Sequence, residues 1–84
     1  MSEQSKWEIL KAISDDAIPG KVERFSFNTL GKNLGLSKGQ VDTLLTELNK
    51  EKYVAQYAKK GVDSFIVEIK QKGLDAIEDG NLVN

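Results

Sequence analysis

The chain has 84 residues, a net charge of −1 and neither cysteine nor histidine. A chain of this length is expected to form one domain with a modest core. Without cysteine, the chain can form neither a disulfide nor a reactive thiolate. Without histidine, it lacks the commonest general base and the commonest zinc ligand. No run approaches the roughly 20 apolar residues of a membrane span, and the polar N-terminus lacks a signal-peptide core. We therefore expect a cytoplasmic protein without membrane association, metal or cofactor.

Charge is unevenly distributed along the sequence. Residues 17–72 carry ten basic residues against six acidic ones, a balance of +4, whereas residues 1–16 and 73–84 carry −2 and −3. The basic middle permits contact with nucleic acid, although its charge is modest for a dedicated nucleic-acid domain. The acidic ends are unsuited to DNA.

The first helix is predicted to begin near Ser5. Apolar residues at a three-, three- and four-residue spacing share one of its faces: Trp7, Leu10, Ile13 and Ala17. Pro19 and Gly20 then break the helix. The neighbouring acids Asp15 and Asp16 indicate a solvated helix end rather than an acid–base pair or a metal site. A short strand follows over residues 22–27, where aromatic and polar residues alternate.

Two helices joined by a tight turn are predicted next. Either Ser26 or Asn28 caps the first, which contains Gly31, where another helix could approach closely. Gly35 ends that helix, and Ser37 caps the second. Four residues at positions i, i+3, i+4 and i+7 form an apolar stripe on the second helix: Val41, Leu44, Leu45 and Leu48.

After residue 52 the pattern changes to a period of two, which predicts a β-hairpin with a basic turn at residues 59–63. The first strand has an ambiguous phase, because Tyr53 and Val54 could each point inward. In the second strand, three residues share a buried face: Phe65, Val67 and Ile69. A last helix is predicted over residues 71–79. We expect residues 1–4 and 81–84 to be flexible.

These elements resemble the winged-helix superfamily. Residues 30–37, Leu-Gly-Lys-Asn-Leu-Gly-Leu-Ser, are similar to the helix-turn-helix of small winged-helix proteins of Gram-positive bacteria and their prophages. The resemblance covers about residues 5–79 and implies an α+β winged helix in the order helix-strand-helix-helix-strand-strand-helix. One position departs from the pattern, because Lys52 stands where the family often has glycine. The helix must then turn without that glycine, or Asn49 must take the unusual conformation.

The resemblance implies a small transcriptional regulator that binds double-stranded DNA. The helix at residues 38–51 would lie in the major groove, and the hairpin tip would touch the backbone. The expected DNA-contacting residues are Lys38, Gln40, Thr43, Thr46, Lys50, Lys59 and Lys60. Gln40 would pair with adenine, Lys38 with guanine or phosphate, and Thr43 with a thymine methyl. Lys32 could add a further phosphate contact.

Two alternatives stay open. Asp42 and Glu47 lie on the same helix and would repel phosphate, which favours ordinary solvated positions over DNA contacts. The modest basicity and the acidic ends also suit a module that binds another protein. An enzyme is not expected, since no nucleophile–base pair or phosphate-cradling loop occurs. An acidic face on the last helix indicates solvation rather than a cation site; its members are Asp75, Glu78 and Asp79. A homodimer could form through the first and last helices, with Leu82 and Val83 reaching a second subunit; the alternative is a monomer with a disordered tail.

Overall fold

The computed structural model describes residues 3–80, within which four helices and three strands follow the predicted order. Their bounds are α1 Glu3–Asp16, β1 Val22–Ser26, α2 Phe27–Leu34, α3 Lys38–Lys50, β2 Val54–Lys60, β3 Ser64–Ile69 and α4 Gln71–Asp79. The first helix begins at Glu3, two residues before its predicted start. The predicted tail, with Leu82 and Val83, lies outside the described residues.

Capping residues mark the start of α2 and both sides of the turn between α2 and α3. The Ser26 hydroxyl accepts a hydrogen bond from the backbone N–H of Thr29, so the first of the two predicted caps is used. Gly35 takes the left-handed conformation with φ 71°, as predicted for a residue that ends α2. Ser37 and Gln40 form a capping box at the start of α3. The turn is therefore determined by local sequence.

Gly31 makes room for the turn itself. A Cβ atom at Gly31 would lie 2.5 Å from the carbonyl oxygen of Leu36 and 3.6 Å from a methyl group of Val41. The backbone N–H of Leu36 also donates to the Gly31 carbonyl at 2.8 Å. The prediction of a close approach is confirmed, but the nearest group is the turn backbone rather than another helix.

The C-terminal end of α3 confirms the first alternative offered for Lys52, a turn without glycine, and contradicts the second, in which Asn49 takes the unusual conformation. Lys52 itself takes the left-handed conformation, with φ 68°, and Asn49 stays within the helix. The N–H of Tyr53 donates to the carbonyl of Leu48 at 3.0 Å, and the N–H of Lys52 donates to that of Asn49 at 3.2 Å. This pair of bonds is a Schellman motif. Lysine occupies the position that normally takes glycine, so the backbone there is strained.

The three strands form an antiparallel sheet in the order β1-β3-β2. Phe25 pairs with Phe65 across β1 and β3, and Val54 pairs with Ile69 across β2 and β3. One extra residue in β2 makes a bulge between Ala55 and Ala58. Gln56 lies in that bulge with φ 61°. The bulge changes which side chains of β2 face α3.

The core lies between the helices and the inner face of the sheet. The predicted stripe of α3 is completely buried, and so are the three predicted residues of β3. Tyr53 and Val54 are both buried, and because β2 begins at Val54, this residue is the inward one that sets the phase of the strand. In α1, Leu10 and Ile13 are buried as predicted, and Ile9 joins them although the predicted face omitted it. Each fully buried leucine or isoleucine contributes roughly 1.5–3 kcal/mol to folding.

Candidate nucleic-acid interface

The outward face of α3 carries small residues and one lysine. Successive residues of an α-helix are rotated by about 100°, so the face opposite the buried stripe can be read from the sequence. Its four residues are exposed and are Gly39, Thr43, Thr46 and Lys50. Three of them belong to the predicted DNA-contacting set. We call these four residues the contact face.

Gln40 lies on the flank of this face and is engaged in the capping box. Its side-chain oxygen accepts a hydrogen bond from the backbone N–H of Ser37 at 2.8 Å. The Gln40 N–H in turn donates to the Ser37 hydroxyl at 3.1 Å. Paired recognition of adenine needs the same amide oxygen to accept from the base. The adenine contact predicted for Gln40 would therefore require the cap to open.

Lys38 is bound to the hairpin turn. Its ammonium group donates a hydrogen bond to the backbone carbonyl of Val62. The same Nζ lies 5.4 Å from the centre of the Phe27 ring. Lys38 thus connects the start of α3 with the turn between β2 and β3. A contact with guanine would have to compete with these two interactions.

Asp42 carries the first of the two carboxylates expected to repel DNA. The Tyr57 hydroxyl donates to Asp42 at 2.6 Å, and the Lys59 ammonium lies 3.6 Å from its other oxygen. Burial raises the pKa of Tyr57 above its ordinary value of 10.0, and the hydrogen bond and charge of Asp42 raise it further. The ring of Tyr57 also packs edge-on against Phe65, 5.7 Å between centres. Asp42 is thereby paired on the hairpin side of α3.

Glu47 carries the second carboxylate and faces α1. Lys6 of α1 lies 3.0 Å from Glu47 and 3.1 Å from Glu51. Burial alone would lower the pKa of Lys6, but the hydrogen bonds and charges of the two glutamates outweigh it and raise this pKa. Both acids of α3 therefore point to its flanks and pair within the molecule. Sequence reasoning counted them against DNA binding because it could not place Lys6 and Lys59 beside them.

The hairpin turn is fastened to α2 by Asp63. Its carboxylate accepts hydrogen bonds from the Ser26 hydroxyl and, at 2.9 Å, from the backbone N–H of Asn28. The N–H of Phe27 donates to the Asp63 carbonyl at 2.7 Å. A carboxylate at a helix N-terminus is also favoured by the helix dipole. The sequence alone did not indicate that Asp63 caps α2, because Asn28 and Asp63 are 35 residues apart along the chain.

Of the four lysines in the predicted DNA-contacting set, two are not engaged by a partner within the described part of the chain. Lys60 is exposed at the end of β2, and Lys50 is exposed in the last turn of α3. Lys32, also exposed, lines an open groove between α2 and the hairpin turn. Val62 at the tip of the turn is 89% exposed.

The other sequence candidates lie elsewhere. Asp15 forms an ion pair with Lys11 at 3.1 Å, and Asp16 lines a shallow cleft between α1, β1 and α2. Trp7 is half-buried and donates from Nε1 to the Ala76 carbonyl at 3.2 Å. Within residues 3–80, no three acidic side chains come together in a way that could hold a metal ion. The helices of this part of the chain are all too short or too polar to cross a membrane.

The fold is similar to that of a solved bacterial regulator, the PcaV transcriptional regulator from Streptomyces coelicolor in complex with its natural ligand. The TM-score is 0.68 at 13% sequence identity, and the match covers 92% of this chain and 51% of that chain. This chain has a winged-helix fold. The hairpin of β2 and β3 is the wing, and α3 is the second helix of the helix-turn-helix.

The present winged helix spans about half the length of that regulator. At this level of identity the likeness establishes the fold and nothing finer. No protein-family model matches the sequence, and a search among curated proteins finds no significant relative. Function must therefore be inferred from the contact face and the wing.

Proposed function

We propose that this winged helix is a non-enzymatic DNA-binding regulator of transcription that inserts α3 into the major groove. The observation that carries the proposal is the contact face. It presents no carboxylate, because Asp42 pairs with Lys59 and Glu47 pairs with Lys6. A helix with small outward residues can approach base edges closely, and Lys50 supplies a cation at its end.

The wing is expected to follow the DNA backbone beside α3. Asp63 and Lys38 hold it against α2 and α3, so its position relative to the contact face is fixed. Lys60 then lies on the exposed edge of the wing, where a phosphate group could reach it. Contacts made by a pre-positioned wing need no ordering of a flexible loop, which reduces the entropic cost of binding.

A salt titration tests this function. Fluorescence anisotropy of a labelled random-sequence duplex would be measured with increasing protein at several salt concentrations. Each phosphate contact contributes about −0.9 to the slope of log affinity against log salt. Lys50 and Lys60 alone give a slope of roughly −2 for each bound chain. A slope of roughly −4 would mean that Lys38 and Lys59 leave their present partners and join the interface.

Matched variants locate the interface. Replacing Lys50 and Lys60 together by alanine should flatten the slope by about two units. Lys21→Ala is the control, because Lys21 is exposed but precedes β1 at the end of the sheet opposite the wing turn. Its slope should match that of the unaltered chain. Absence of salt-dependent binding to any duplex at low salt would refute the proposal.

The wing tip favours a second candidate function, a module that binds another protein. Val62 is 89% exposed, and apolar side chains at the centre of protein interfaces become buried on association. In this case Val62→Ser should weaken binding to the partner while leaving the fold intact. The salt titration separates the two functions, because a module that binds only protein should show no salt-dependent affinity for the DNA duplex.

A further inference from the structure

The contact face leaves few groups that could distinguish one base pair from another. Gly39 has no side chain, and Lys50 lies in the last turn of α3. The side-chain oxygen of Gln40 is held by the capping box. Two threonines remain, Thr43 and Thr46, both exposed and three residues apart.

Hydrogen bonding within α3 occupies the hydroxyl of Thr46 but not its methyl group. The Thr46 hydroxyl donates to the backbone carbonyl of Asp42 at 2.8 Å, so its proton is directed back along the helix. The methyl is the other group on the Thr46 Cβ, and it is left for an outside partner. Thr43 lies at the centre of the face, and threonine methyls are suitable partners for the C5-methyl of thymine.

We infer that the methyl groups of Thr43 and Thr46 read the C5-methyl groups of thymines at neighbouring base pairs. The inference rests on the proposed function and names the feature of DNA that this face selects. Residues three apart on a helix have Cβ atoms about 5–6 Å apart. Base pairs rise by about 3.4 Å and are also rotated, so two adjacent thymine methyls match this spacing. Sites rich in adjacent A·T pairs should be preferred.

Replacement of thymine by uracil tests the inference directly. A duplex would be selected from a random-sequence library with the full chain, and then prepared again with deoxyuridine in place of each thymidine. This change removes the C5-methyl and leaves every hydrogen-bonding group of the base pair in place. Loss of one buried methyl contact should lower the affinity about fourfold, and loss of both about fifteenfold.

Side-chain variants complete a double-mutant cycle. Thr43→Ser and Thr46→Ser remove a methyl and keep a hydroxyl, so each should bind the thymine duplex about fourfold more weakly. Each should also lose its share of the discrimination against uracil. Thr43→Val keeps a methyl in place and should retain thymine preference. Thr29→Ser is the matched control, since Thr29 is an exposed threonine of α2 that lines the cleft beside α1.

The outcomes separate this inference from the proposed function. Equal affinity for the thymine and uracil duplexes, with the salt slope retained, would overturn methyl recognition and leave DNA binding standing. If the variant with both Thr43→Ser and Thr46→Ser still preferred the thymine duplex over the uracil duplex as strongly as the unaltered chain, methyl recognition would also be overturned. Selection that recovers no A·T-rich sequence would also contradict the inference. Loss of salt-dependent binding to every duplex would remove the proposed function and the inference together.

Discussion

Lys52→Gly should stabilise the domain, because lysine occupies a left-handed position that closes α3. A left-handed conformation costs a residue with a Cβ about 1–2 kcal/mol. Glycine avoids this cost, but its greater freedom in the unfolded chain takes back about 0.4–1 kcal/mol. The expected net gain is about 0.5–1 kcal/mol, and both Schellman hydrogen bonds stay in place because they involve only the backbone.

Thermal unfolding followed by circular dichroism measures this gain. For a domain of this size, about 1 kcal/mol corresponds to a shift in Tm of about 4–8 °C, so an increase of roughly 2–8 °C is expected. Lys52→Ala controls for loss of the lysine side chain and should give little or no increase. Asn49→Gly should lower Tm slightly, because Asn49 lies within the helix. An unchanged or lower Tm for Lys52→Gly would refute the assignment of strain to this residue.

Three further predictions concern the core, the alkaline limit and assembly. Leu44→Ala should cost about 2–5 kcal/mol, measured by denaturant unfolding, since Leu44 is completely buried. The pKa of Tyr57 is raised above 10.0, so the folded chain holds the phenol proton more tightly than the unfolded chain. This proton's contribution to stability is complete below pH 10.0 and is lost as pH rises above that value. Tyr57→Phe lacks the proton, so its Tm should fall less steeply above pH 10.0 than that of the unaltered chain. Analytical ultracentrifugation of the full chain and of a version ending at Gly80 should show a homodimer that weakens on truncation, and a monomer at high micromolar concentration would contradict it.

Local sequence was sufficient to predict most of the fold. The stripe of α3, the capping residues and the left-handed Gly35 each depend on residues within one turn of their position. The alternation in β3 likewise follows from a single strand packed against a core. Such features need no knowledge of distant contacts, so the element order and most bounds could be derived without a structure.

The features that failed prediction depend on distant or competing interactions. The bulge at Gln56 contains no glycine that would have indicated it in the sequence, and it is defined only by the pairing of β2 with β3. The sequence did not decide whether Lys52 or Asn49 takes the unusual conformation at the end of α3; Lys52 does, and closure of α3 with burial of Tyr53 outweighs its strain. At the interface, the pattern located the outward residues of α3. It could not show that Lys38, Gln40 and Lys59 already have partners within the chain.

The pairing of Lys59 leads to a last prediction about DNA affinity. Asp42 lies 3.6 Å from Lys59 and so reduces the attraction of this wing lysine for phosphate. Asp42→Asn removes the charge and keeps an oxygen that can accept from the Tyr57 hydroxyl, which lies 2.6 Å from Asp42. The released Lys59 should add one phosphate contact, so affinity should rise and the salt slope should become more negative by about 0.9.

Glu47→Gln provides the contrasting control for Asp42→Asn. It also removes one negative charge from α3, but its partner Lys6 remains paired with Glu51 at 3.1 Å and stays on the α1 side. The slope should therefore not change with Glu47→Gln. Adding Lys59→Ala to Asp42→Asn should return the slope to its original value. If Asp42→Asn leaves the slope unchanged, Lys59 does not reach the phosphate backbone, and the wing meets DNA through Lys60 alone.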